Sequence, residues 1–300
     1  MAGVAEKRAW KGRTDGLPWM IRSLVAVMKV VDRRVIYCFM AVVVPFYMLF
    51  GHRGFTAIYR FFRERFQYGP LKSFFKVYAN HFRFGQVIID RYAAYAGKEF
   101  GFSIDGNALF TDLMESPGGF VQLSSHAGSF EMVGYGLTSD RKKINGLLFA
   151  GESEVMKDFR RRILARHNID LIEVDGTMSH IFAMNAALDR GEIVSMTGDR
   201  MLGSGKYLKC SFLGAEARFP MGPFALAVQK EVPILAMFAM RENAKTYRVF
   251  IRDISSDSTL PVRARMNSLA QSFASALEEI VRLYPTQWFN FYDFWKKSDE

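Results

Sequence analysis

Hydrophobic positions follow different rhythms along this chain. Near the N-terminus they run together. The stretch 17–31 is apolar apart from Arg22 and Lys29, and after Arg33-Arg34 the stretch 35–51 carries no charge and contains Pro45. From 55 to 95 apolar residues recur at helical spacing with bases between them, as in Tyr59-Arg60-Phe61-Phe62-Arg63 and Lys72-Ser73-Phe74-Phe75-Lys76. That period predicts helices with one apolar face, divided in two by Gly69-Pro70. Phe100 to Phe110 predicts a short hairpin turning at Asp105-Gly106. From Gly118 onward, apolar runs at 119–123, 145–150, 169–174, 192–196, 208–213, 233–239 and 246–252 predict strands. Helices are predicted over 153–166, 178–190 and 221–230, with Gly191 as a natural stop. A last helix over 262–283 precedes an aromatic tail, Trp288 to Trp295. Such alternation predicts an α/β fold with a mostly parallel, mixed sheet covered by helices.

Composition narrows the partners. Half of the 300 residues are hydrophobic and 28 are Phe, so a large core is easily built. A net charge of +10 calls for a negative partner, such as lipid headgroups, an acidic carrier protein, an anionic substrate or nucleic acid. Basic-aromatic interleaving also occurs in single-strand binders, but the helical period predicts an apolar face packed on a domain or a membrane. No nucleic-acid partner is therefore expected. Cys38 and Cys210 lie far apart and make no metal or redox spacing, so neither metal nor cofactor is expected. The run 35–51 is shorter than the roughly 20 residues of a spanning helix and lacks a small-residue cleavage site. Bases on both sides (Arg33, Arg34; Arg53, Arg60) give no orientation. A shallow or monotopic anchor is predicted, with a single span or a buried helix of a soluble domain as the alternatives. The predicted division is a basic, membrane-associating segment over 1–53 and a main domain over 54–300, with amphipathic aromatic helices over 54–100 and an α/β core over 118–295.

The chemistry concentrates in Val121-Gln-Leu-Ser-Ser-His126-Ala-Gly-Ser-Phe-Glu131. An apolar run breaks into small residues, presents a histidine, and passes into a helical pattern at Glu131. On one helix, residues five apart lie about 140° apart, so His126 and Glu131 meet only if His126 sits on the strand-to-helix turn. Gly128 frees that turn and Ser129 is a plausible cap. The pair then reads as a general base with an orienting acid. A satisfied histidine beside a helix-capping glutamate would give the same spacing. Asp199 and Arg200 also follow a predicted strand. Arg200 is expected either to grip an anionic substrate or to pair with Asp199. The basic run Lys157, Arg160, Arg161, Arg162, Arg166 reads as a solvated helix face or a carrier-protein dock.

Ser-His-Ala-Gly-Ser-Phe-Glu resembles the His-(four residues)-acid block of the lysophospholipid acyltransferase superfamily. Met196-Thr-Gly-Asp199-Arg200, Phe212-Leu-Gly, Arg218-Phe-Pro-Met-Gly-Pro223, Val232-Pro-Ile-Leu-Ala and Tyr284-Pro-Thr-Gln-Trp-Phe-Asn-Phe resemble its lipid A late-acyltransferase branch. The resemblance covers residues 10 to 295. It implies a glycerolphosphate-acyltransferase-like fold in which His126 is the base and Glu131 orients it. Arg200 stands where that branch usually has Gln. Arg218, Phe219, Pro220 and Gly222 resemble the superfamily's Phe-Pro-Glu-Gly-Thr-Arg phosphate block but lack its Glu and Arg, which argues against a simple glycerol-phosphate acceptor. The backbone at that predicted helix start remains an anion or oxyanion site. Because the chain has more large apolar residues than one core and a short anchor require, an acyl groove is expected beside His126, bounded by the Phe219–Pro223 turn and the aromatic helices. The implied reaction moves an acyl group from acyl carrier protein or coenzyme A to a hydroxyl or amine of a lipid-like acceptor. The implied place is the cytoplasmic face of the inner membrane. A lipid or thioester hydrolase and a non-catalytic basic membrane binder are the alternatives.

Overall fold

The computed structural model describes residues 18–50, 52–137, 141–149, 154–164, 167–174, 177–201 and 205–295. The basic start (Lys7, Arg8, Lys11, Arg13) and Arg166 lie outside these.

The strands are β1 Gly101–Asp105, β2 Phe120–Ser124, β3 Ile144–Phe149, β4 Ile169–Val174, β5 Ile193–Thr197, β6 Tyr207–Phe212, β7 Ala215–Pro220, β8 Ile234–Arg241 and β9 Thr246–Ile254. Seven of them make one sheet in the order β1-β9-β8-β2-β5-β3-β4. β8, β2, β5, β3 and β4 run parallel to one another. β9 runs antiparallel to β8 and carries β1 parallel to itself. The sheet is thus mostly parallel and mixed, as the alternation predicted. Every residue of β2 and β8 is buried, which requires cover on both faces. Val121 and Leu123 join one core cluster and Phe120 the other, following the strand's period of two.

The helices are α1 Pro18–Val30, α2 Arg33–Phe50, α3 His52–Arg60, α4 Pro70–Tyr95, α5 Asn107–Glu115, α6 Phe130–Gly136, α7 Glu154–Leu164, α8 Ser179–Asp189, α9 Gly222–Lys230 and α10 Val262–Leu283. A π-helical turn, Phe61–Arg65, extends α3. α4 begins at Gly69-Pro70, where the sequence divided the aromatic region. α2 leaves Val35, Phe39, Val42, Phe46 and Tyr47 exposed. No single described helix is long and apolar enough to cross a membrane.

Two predicted elements differ. The expected hairpin over 100–110 is a strand followed by a helix. Gly106, at φ +90°, leads into α5, and β1 finds its partner in distant β9. Conversely, β6 and β7 form an unpredicted antiparallel hairpin outside the main sheet. Its turn residues Leu213 and Gly214 both have positive φ, the geometry of a primed hairpin turn, whose usual sequence signal is Asn-Gly or Asp-Gly.

Candidate active site

β2 ends at Ser124 and α6 starts at Phe130, so the segment between must turn sharply at the carboxyl edge of the sheet. Gly128 adopts φ +65°, and a Cβ there would collide with the Ala239 carbonyl oxygen. Main-chain bonds pin the turn on both sides. The Ser129 N–H donates to the Ala239 carbonyl at 2.9 Å and the Gly128 N–H to the Gln287 carbonyl at 2.7 Å. The Phe289 N–H donates to the His126 carbonyl at 2.9 Å, and Ala127 bridges Trp288. The aromatic tail is therefore stitched to the loop that carries His126. Ser129 stands at the cap position, but its side chain makes no capping bond.

β5 lies beside β2 in parallel register, Ser124 opposite Thr197. Neighbouring parallel strands release their chains at the same edge, the usual place for an α/β site. Gly198-Asp199 accordingly emerges next to Ser125-His126. Asp199 is 2% exposed and takes two bonds from His126: Oδ1 from ring Nδ1 at 2.8 Å, and Oδ2 from the backbone N–H at 2.9 Å. The Trp288 indole N–H lies 3.4 Å from the same Oδ2. Burial pushes the Asp199 carboxyl upward, but His126, its hydrogen bonds and nearby Arg200 outweigh burial and hold it below the ordinary aspartate value. An ionised carboxylate only accepts, so Nδ1 must carry the hydrogen. In the neutral imidazole, Nε2 then keeps its lone pair. The His126 side chain is 19% exposed, and Phe130, itself exposed, meets its ring edge-on at 5.8 Å.

Glu131 sits in the first turn of α6, as expected, but its carboxylate points elsewhere. It meets Arg160 of α7 at 2.7 Å, and Arg91 at 3.1 Å and the Tyr95 hydroxyl at 3.1 Å, both from α4. Burial raises this acid's pKa, yet the two guanidiniums more than compensate and the net shift is downward. The acid on Nδ1 of His126 is Asp199, where the sequence reading expected Glu131. Rotation along α6 carries Glu131 toward α4 and α7, while Asp199 arrives along the neighbouring strand.

The other predicted residues separate. Arg200 neither pairs with Asp199 by a hydrogen bond nor stands open. It donates to the Phe289 carbonyl at 3.0 Å, clamping the tail, while its Nε is buried with no partner among the described residues. Arg218 lies on β7, its guanidinium 4.4 Å from the Tyr207 ring centre. Phe219 is fully buried against Phe212, Phe273 and Phe294. A ring with no exposed surface packs the core and cannot line a groove. Pro220 ends β7 opposite Tyr207, and exposed Gly222 opens α9. Aromatics of the π turn and α4 are likewise spent on the tail. Phe61 meets Trp288 at 5.2 Å, and Phe84 meets Phe289 at 5.3 Å and Phe291 at 5.0 Å. The cleft lined by Phe61, Trp288, Phe294 and Trp295 lies on this side of the tail.

The family model for bacterial lipid A biosynthesis acyltransferases matches residues 98–297. This chain belongs to that family. A comparison with curated proteins gives no match. Among solved structures, the chain is similar to the 1-acyl-sn-glycerophosphate (LPA) acyltransferase PlsC of Thermotoga maritima, at 10% identity and a TM-score of 0.39 over 82% of this chain and 98% of that one. Membership of that family makes the protein a lipid A-type acyltransferase acting in lipid biosynthesis. In this acyltransferase His126 and Asp199 stand together within the matched region. Trp288 of the aromatic tail, for which no local sequence signal marks a site role, joins them through its indole.

Proposed function

We propose that the protein transfers a fatty acyl group from a thioester to a hydroxyl or amine of a lipid-like acceptor, with His126 as general base and Asp199 as its orienting acid. The observation that carries this is the pair of hydrogen bonds joining His126 to Asp199, which in the neutral imidazole puts the hydrogen on Nδ1 and leaves the Nε2 lone pair free at the sheet edge. Nε2 takes the acceptor proton as the acceptor oxygen or nitrogen attacks the thioester carbonyl. Asp199 stabilises the imidazolium so formed. The tetrahedral adduct collapses by breaking the C–S bond, and the imidazolium returns the proton to the departing thiolate. Base and acid are regenerated and no acyl-enzyme is required. Glu131 acts from behind, fixing α6 to α4 and α7.

Membrane contact belongs to the same reading. The exposed apolar side chains of α2 are spaced Val35, Phe39, Val42, Phe46, one stripe of a helix, and Arg22, Lys29, Arg34 and Arg53 flank it with positive charge. Such a helix lies in a bilayer interface and meets anionic headgroups. The protein would then work on the inner membrane from its cytoplasmic face, taking its donor from acyl carrier protein or coenzyme A.

The test is thiol release from lauroyl-coenzyme A and lauroyl-acyl carrier protein in vesicles made from the source cells' total lipid, with mass spectrometry of the lipid product. General-base catalysis contributes about 10²–10⁴-fold, so His126→Ala should lose at least about 100-fold. A folded His126→Ala protein with near-normal turnover would refute the mechanism. Thiol release without any acylated lipid would favour hydrolysis.

A further inference from the structure

A second buried polar cluster lies outside the His126 site. Asp90 of α4 is completely enclosed. Its Oδ2 accepts from the Arg241 Nε at 2.7 Å and from the Tyr247 hydroxyl at 2.7 Å, and its Oδ1 accepts from the Tyr37 hydroxyl. Tyr37 belongs to α2, and the Arg241 guanidinium lies 5.0 Å from its ring centre. A buried carboxylate and guanidinium this well paired are costly to separate, so the cluster is rigid.

Arg241 is also the last residue of β8, and its peptide is gripped by a single side chain. Gln287 accepts the Arg241 N–H through Oε1 at 3.0 Å and donates Nε2 to the Arg241 carbonyl at 2.9 Å. The Gln287 carbonyl in turn accepts the Gly128 N–H, two residues from His126. The contacts thus run without a gap from α2 through Tyr37, Asp90, Arg241 and Gln287 to the catalytic turn. α2 is held to α4 by another hydroxyl as well: Tyr78 donates to the Ala41 carbonyl at 3.1 Å. Among the described residues Tyr78 makes no side-chain hydrogen bond to Asp90, Arg241 or Gln287.

We infer that Tyr37 and Asp90 are positioning residues for acyl transfer, so that docking of the N-terminal helix α2 is part of assembling the active site and not only an anchor. This inference rests on His126 being the base. Nucleophile and carbonyl must be held to within a fraction of an ångström, and small displacements remote from the chemistry cost up to about 100-fold. A relay fixing the Gly128 backbone would act on the position of Nε2 rather than on substrate affinity.

The experiment uses the full chain in the same total-lipid vesicles, following thiol release from lauroyl-coenzyme A. Tyr37→Phe, Tyr78→Phe, Asp90→Asn and His126→Ala are compared for kcat, KM and vesicle binding. Tyr37→Phe and Asp90→Asn should each lower kcat by about 10-fold or more, with KM and vesicle binding unchanged. Tyr78→Phe should leave kcat within about twofold of the parent, since this part-buried bond joins α2 to α4 without touching Asp90, Arg241 or Gln287. Equal losses in Tyr37→Phe and Tyr78→Phe would overturn the relay, because helix docking alone would then explain both. Unchanged kcat in Tyr37→Phe would overturn it too. If Tyr37→Phe fails to fold, a folded Asp90→Asn with full kcat overturns it and one with lowered kcat at unchanged KM supports it. Full activity in His126→Ala would instead reject the base assignment, and is read separately.

Discussion

Asp199 accepts both the backbone N–H and the ring Nδ1 of one residue, His126, at 2.9 and 2.8 Å. This double grip fixes where the histidine backbone lies as well as how its ring is turned. It also settles the tautomer, because an ionised carboxylate has no proton to give. Replacing the carboxylate by an amide would allow the ring to present the wrong nitrogen, a fault that costs triad enzymes about 10⁴-fold.

Glu131 should matter first to stability. Its carboxylate is the counter-charge for Arg91 and Arg160 inside the fold. Removing one partner of a buried pair leaves uncompensated charge and typically costs about 3–5 kcal/mol. Glu131→Ala should therefore lower the urea midpoint strongly. A midpoint equal to that of the parent protein would contradict this placement.

Acid should unfold the protein through the same groups. Glu131 and Asp199 are both held below their ordinary values in the fold. A carboxyl lowered by folding stabilises the native state above its unfolded pKa, about 4 for Asp and Glu. That contribution disappears as pH falls through the folded values. Tm should decline modestly between pH 7 and 5, where the unfolded chain protonates His81 and burial holds the folded His81 below its ordinary value, and then drop steadily below about pH 4. A flat Tm down to pH 3 would contradict both shifts.

Gly128→Ala should injure the catalytic turn. Its φ of +65° strains any side chain and the added Cβ meets the Ala239 carbonyl. Strain of this kind costs of order 1–3 kcal/mol, and relief would move His126. We expect a lowered Tm together with a loss of kcat larger than the change in KM. Unchanged kinetics would mean that the turn tolerates displacement.

The interfacial reading of α2 predicts that Phe39→Ser with Phe46→Ser weakens vesicle binding. These rings are 72% and 59% exposed, so the change should leave Tm nearly unaltered. Flotation with phosphatidylglycerol-containing vesicles reads the binding. Undiminished flotation of the double variant would remove α2 from the contact.

The strands and helices of the core were legible because their hydrophobic periods are local. Phe120–Ser124 and Ile193–Thr197 read as strands from their own residues. Their adjacency did not, because strand order is a property of the folded sheet. Asp199 was therefore seen at the end of a strand without its partner, and Glu131 was preferred for its nearness in sequence. Glu131 met Arg91 and Arg160 from helices that the local pattern could not bring close. The same limit hid the tail. Gln287 and Trp288 reach the His126 turn from the far end of the chain. Asp105-Gly106 misled because a positive-φ glycine serves a helix entry as readily as a hairpin. The excess of large apolar residues suggested a groove, whereas many of the aromatic rings, Phe219 among them, fill an aromatic interior.

The most direct measurement compares kcat for thiol release from lauroyl-coenzyme A, in total-lipid vesicles, between Asp199→Asn and Glu131→Gln, each first confirmed as folded by circular dichroism. The dyad predicts that Asp199→Asn loses at least about 100-fold in kcat while Glu131→Gln, once folded, keeps kcat within about 10-fold of the parent. The reverse order, with Asp199→Asn near normal and folded Glu131→Gln inactive, would contradict it and return the orienting role to Glu131.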